Sequence, residues 1–147
     1  MADNVELIPN AEEQLVTRAL MAWVNTYTNL PVSLVNYEQL SPDETSMALS
    51  LTAGAYIARR YITGGYVAEV PFSLLYRIKP GTSNDMRLKA DETLNAIGGW
   101  ASGNPPTLGN GLVVRKVEVT ARSMLLVPYE NGDEDHQILM KLIYETL

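Results

Sequence analysis

The chain has 147 residues, 46% of them hydrophobic and 19% charged, with a formal net charge of −6. That is enough length for one domain with one core, and the composition excludes both a disordered and a membranous chain. The absence of cysteine excludes a disulfide framework, thiolate chemistry and a cysteine metal site, and the acidic balance argues against a general nucleic-acid binder.

The N-terminal run MADNVELIPN is acidic and lacks a basic stretch followed by an apolar block, so it does not read as a secretory signal. Asn10 with Glu13 has the form of a capping box. Beyond it Leu15, Val16, Ala19, Leu20, Trp23, Val24 and Tyr27 recur at helical spacing, which predicts a helix over 11–28. Pro31 disfavours its continuation. A short strand is expected near 33–37. SPDETS reads as a turn, and Met47, Leu49 and Leu51 alternate as in a half-buried strand.

Next come AYIARRYIT, a Gly64-Gly65 pair and YVAEVPFSLLYRIK. Two runs of strand formers around a Gly-Gly tip predict a long β-hairpin whose tip projects beyond the core. Pro71 cannot donate to a ladder, which points to an edge or a bulge there. A second helix follows, capped by Ser83 or Asn84, with Leu94, Ile97 and Ala101 toward the core and Gly98-Gly99 weakening its last turn. The segment 102–111, SGNPPTLGNG, reads as a loop. LVVRKVEVTARSMLLVPYE is one long strand or two short ones. Asn131-Gly132 marks a turn into a closing strand with Ile138, Met140, Leu142 and Tyr144 on one face. Helices separated by runs of strands predict a single α+β domain over 1–147, a largely antiparallel sheet with a long β-hairpin and two helices packed on it.

Few groups converge for catalysis. His136 is the sole histidine and reads as a turn cap or a solvent-facing ring rather than a base. GDEDH, residues 132–136, could weakly hold a hard cation but lacks EF-hand spacing and reads better as a solvated hairpin tip. GTSND reads as helix capping. No Walker, dinucleotide-binding or G-x-S-x-G pattern is present. Neither a catalytic site, a cofactor nor a metal is expected. Charge is uneven: residues 55–122 carry nine cations against five acids, while the remainder carries two against twelve. This reads as ordinary surface charge, or as acidic ends of one copy facing the basic middle of the next.

The tyrosines carry more weight. Tyr56, Tyr61 and Tyr66 cluster about the hairpin beside two arginines, and tyrosine suits interfaces because it buries area and keeps a wet hydroxyl. The hairpin arm, Arg59, Arg60, Tyr61, Ile62, Gly64, Gly65, Tyr66 and Glu69, is therefore the expected interface, against the plainer reading of a surface hairpin. Trp100, Arg115, Asp133, Glu134 and Asp135 form a second tier.

RRYITGGYVAEVPFSLLYRI, SNDMRLKADETLNAIGGWAS and VEVTARSMLLVPYENGDEDHQILMKLIYE, in that order, resemble small proteins from long-tailed phages of Gram-positive bacteria, the minor capsid or tail completion proteins. The resemblance covers roughly residues 45–146. These proteins are similar to phage tail terminators. The resemblance implies a virion protein without enzymatic activity, located at the tail–head junction and assembled in the host cytoplasm. It further implies a homo-oligomeric ring, typically of six subunits, that caps the head-proximal end of the tail tube. Its partners would be the tail tube protein and the head–tail connector protein, and DNA would pass its lumen without specific binding. A head-completion or connector adaptor, or another ring-forming tail protein, is the alternative. A small α+β binding module is the remote one.

Overall fold

The computed structural model describes residues 5–42 and 44–146. The elements are α1 (Asn10–Val24), β1 (Val35–Tyr37), β2 (Ser46–Leu51), β3 (Tyr56–Arg60), β4 (Tyr66–Ile78), α2 (Asn84–Gly103), β5 (Leu112–Pro128) and β6 (Glu134–Thr146). The fold is α+β, as the sequence predicts. One sheet runs β1-β2-β4-β6-β5, with β3 also pairing to β4. Only β1–β2 is parallel. The last strand thus inserts between β4 and β5, so it is flanked along its whole length.

Alternation decides which side of the sheet is covered. Val70, Phe72, Leu74, Tyr76 and Ile78 on β4 point to the same face as Ile138, Met140, Leu142 and Tyr144 on β6, and all nine are buried. Both helices lie on that face. Trp23 of α1 stacks on Trp100 of α2 at 5.1 Å and meets Phe72 edge-on at 6.4 Å. The Trp23 indole N–H donates to the Asn104 carbonyl at 2.7 Å and ties α1 to the end of α2. Trp100 is therefore an inter-helix packing residue.

Several local expectations change. Helix α1 begins one residue early and ends at Val24, behind Pro9 and without a side-chain cap. Glu13 does not close a capping box; its carboxylate accepts instead from the Ala55 N–H at 2.9 Å. At α2, Ser83 is the cap, its Oγ accepting from the Met86 N–H at 3.2 Å. Pro71 sits neither at an edge nor at a bulge. β2 pairs with β4 at residues 72–77 and β3 pairs with it at 66–69, end to end along one side. Pro71 lies at the junction of the two, where no ladder bond to its nitrogen is required, and its carbonyl accepts from Thr52. Strand β5 is single and long, and four register irregularities accommodate its length against β6.

The Gly98-Gly99 pair lies inside α2, just ahead of its last turn. A Cβ on Gly98 would come within 2.7 Å of Ile138 Cδ1 and 2.9 Å of Val119 Cγ2, so the missing side chain lets α2 approach the sheet. A Cβ on Gly99 would meet nothing. Gly98→Val should therefore destabilise the fold by about 1–3 kcal/mol through overpacking. Gly99→Ala should stabilise it by about 0.5–1 kcal/mol through helix propensity alone. Urea unfolding of the two variants checks the opposite signs.

Candidate functional site

The hairpin is shorter and better anchored than its sequence suggests. Its loop is five residues, Tyr61–Gly65, closed by the Tyr61 N–H on the Gly65 carbonyl at 2.7 Å. Only Gly64 of the glycine pair has a positive φ, +102°, and Gly65 is buried. The base is tied down by tyrosines. Tyr66 Oη donates to Glu12 at 2.7 Å, and Tyr144 Oη donates to the same carboxylate at 2.6 Å. Tyr61 Oη donates to Glu145 at 2.8 Å, and Arg60 pairs with Glu6. Tyr56 donates to Glu69, which also pairs with Lys141 at 2.9 Å. A projecting arm is thus corrected to a docked hairpin with an exposed tip. At that tip Ile62 is 108% exposed, flanked by exposed Arg59 and Arg60. Each arginine lies over a tyrosine ring, Arg59 over Tyr61 and Arg60 over Tyr66.

The second cluster overturns the solvated-tip reading of GDEDH. Asn131-Gly132 does make the turn, but Asp133, Glu134, Asp135 and His136 are all buried. Each acid enters the sheet against a cation. Arg77 holds Asp135 through two hydrogen bonds, at 2.8 and 3.0 Å, Lys79 holds Asp133 at 2.9 Å, and Arg87 of α2 holds Glu134 at 2.6 Å. Tyr129 Oη adds a hydrogen bond to Asp135. His136 faces neither solvent nor a turn. It is 2% exposed and lies between Asp91 on α2, at 2.9 Å, and Glu134, at 3.1 Å. Asp91 in turn accepts from Ser123 Oγ at 2.7 Å. The chain Ser123–Asp91–His136–Glu134–Arg87 fastens α2 across β5 and β6. The serine and the histidine both meet the aspartate, so this is not the order in which a histidine would activate a serine.

The same contacts resolve the uneven charge. Acids from the two ends pair with cations of the middle inside one chain: Glu6 with Arg60, Asp133 with Lys79, Glu134 with Arg87, Asp135 with Arg77. These pairs engage four of the twelve acids of the two ends within the chain. Asp133, Glu134 and Asp135 have their partners at home and leave the candidate interface. Arg115 remains on it, half exposed and 4.0 Å from Glu145. Among the described residues no group of three or more His, Cys, Asp or Glu could hold a metal ion, and no helix is long and apolar enough to cross a membrane. Sequence reasoning missed the cluster because its cations lie about fifty residues away.

These groups set a pH response. Burial works to raise the Glu134 carboxyl, but hydrogen bonds from Arg87 and His136 outweigh it and hold it below the usual value of 4.5. The Lys79 hydrogen bond lowers Asp133 likewise. A depressed carboxyl stabilises the fold above its unfolded value, and that contribution is lost as pH falls. At the other end, burial and then the Glu12 hydrogen bond push Tyr66 up to about 12, and the same causes raise Tyr144. Raised phenols stabilise the fold below their usual value of 10, and that is lost as pH rises. The Tm should therefore fall below pH 4.5 and again above pH 10. Glu134→Gln should flatten the acid limb and Tyr66→Phe the alkaline limb, read by thermal melts across pH.

No protein-family model matches the chain, and no curated protein matches it. Among solved structures, the fold is similar to that of a chain in the virion of a native gene transfer agent (GTA) particle, with a TM-score of 0.61 over 88% of this chain and 97% of that one. Identity is 14%, so what the two chains share is the fold.

Proposed function

We propose that the chain is a structural virion protein that caps the head-proximal end of a tail tube as a ring, ends tube polymerisation and joins the tail to the head connector. The observation that carries this reading is the near-complete overlap with a virion chain, 97% of which is covered by this fold. The resemblance of residues 45–146 to tail completion proteins points the same way. The chemistry is compatible. The polar clusters described above are engaged within the chain, and what is left outward is surface: an apolar tip between two arginines, and strand edges.

The hairpin tip is the element that meets the tube in this reading. Ile62 gains nothing from its place in the monomer, where it is fully exposed. A few residues near the centre of an interface carry most of its binding energy. Surface substitutions of this kind usually change stability by less than about 0.5 kcal/mol.

The test is tube growth. Added to polymerising tube protein, the wild-type chain should stop elongation and leave short tubes with a capped end in negative-stain images. Ile62→Asp should melt at the wild-type temperature and leave tubes long. Tubes that grow unchecked with the wild-type chain would sink the terminator reading. Attachment to connector rings with no effect on tubes would move it to the adaptor alternative.

A further inference from the structure

Among the described residues the sheet has three lateral edges, and they are treated differently. The edge of β3 is covered by the chain itself: Leu7 bridges Tyr56, and Ile57 N–H donates to the Glu6 carbonyl at 2.8 Å. The edge of β1 is blunted at Val35, whose N–H and carbonyl are both bonded by the Asn25 side chain. The edge of β5 is 17 residues long, and among the described residues β6 is its one partner strand; Leu112 also bridges Gly109, and the Ser123 N–H donates to Asn95 Oδ1 at 2.9 Å. Its first part carries Arg115, Lys116, Glu118 and Arg122, charges that keep a bare edge from pairing at random. Its last part, Ser123–Pro128 (SMLLVP), carries none. There Met124 is 59% exposed, and Leu125 and Leu126 are 44% and 45% exposed.

Following the ladders across the sheet locates the counterpart of this strip. Leu125 lies opposite His136, His136 opposite Tyr76, Tyr76 opposite Met47, and Met47 opposite Val35. The uncharged end of β5 and the β1 edge are therefore the two ends of one row. The β1 edge also exposes large apolar groups, with Leu34 at 55% and Tyr37 at 45%. Strand directions agree as well. β5 runs antiparallel to β1, so a copy placed beside another in the same orientation brings the two edges together antiparallel. Charge agrees last. Arg122 is exposed and makes no ion pair among the described residues. It sits in the β5 irregularity between Ala121 and Met124, opposite the row of Leu139 and Ile138. Tyr37 ends that same row on the far side, and exposed Glu38 follows it.

We infer that the Met124–Leu126 edge of one copy seats on the Leu34–Tyr37 edge of a second copy, with Arg122 facing Glu38. The contact is heterologous, and head-to-tail contacts of this kind close into rings when the rotation between copies permits. It is built from apolar side chains and the free β5 backbone, since Asn25 already occupies the backbone of Val35. This inference names the subunit contact of the ring proposed above and rests on that reading for the ring's closure.

The experiment reads mass alone, without tube protein, so it is separate from the tube assay. Multi-angle light scattering of the wild-type chain should give a multimer. Leu126→Lys and Leu34→Lys change exposed side chains, so both should fold normally and run as monomers. A one-to-one mixture of the two variants retains one intact contact per pair and should give a dimer and nothing larger. Arg122→Glu and Glu38→Lys should each lower the mass, and the two together in one chain should restore it. Several results would overturn the contact. One is a wild-type chain that stays monomeric at its highest soluble concentration. Another is a Leu34→Lys chain that assembles as the wild type does, the behaviour of a β5–β5 contact. A third is a charge-swapped chain that stays monomeric.

Discussion

The fold depends on how one acidic segment enters the middle of a sheet. Strand β6 is flanked by β4 and β5 along its length, so the residues that lead into it and open it are buried as soon as the Asn131-Gly132 turn is made. Those residues are Asp133, Glu134, Asp135 and His136. An unpaired charge there would cost several kcal/mol. Arg77 and Lys79 answer from β4 and Arg87 from α2. The pairs bring little net stability against a wholly apolar alternative. What they supply is register: a slip of one residue between β4 and β6 would move every carboxylate to the wrong face of the sheet.

That constraint also orients the helices. Arg87 and Asp91 lie one turn apart on α2 and reach Glu134 and His136, alternate residues of β6. The helix is thereby aligned along the strand, and Gly98 then lets it settle onto Ile138 and Val119. The Trp23–Trp100 stack carries the order on to α1. At the opposite end of the sheet the logic is repeated with phenols. Glu12 accepts from Tyr66 and Tyr144 and holds the start of α1 to the base of the hairpin.

Both ends of the sheet are thus locked from inside. The contacts proposed above are a hairpin tip with an exposed isoleucine and two sheet edges of complementary character. In the proposed reading they are the contacts of a protein placed between other proteins.

Much of this was legible in the sequence. Both helices, the Asn131-Gly132 turn and the alternation of β4 and β6 follow from residue period and turn chemistry, which act over a few residues. The α+β class follows from their order. Other features could not be read locally. Asp133–Asp135 looks like a solvated tip because nothing nearby in the chain neutralises it; the cations that bury it are brought by strand pairing and by α2. The hairpin looks like a free arm because Glu12 and Glu145, which anchor its tyrosines, lie at the two ends of the chain. Local pattern determined which segments are helix and strand and which faces are apolar. Only the tertiary structure decided which charges face each other and which edges remain open, because those depend on insertion of β6 between β4 and β5, a choice made by contacts far apart in sequence.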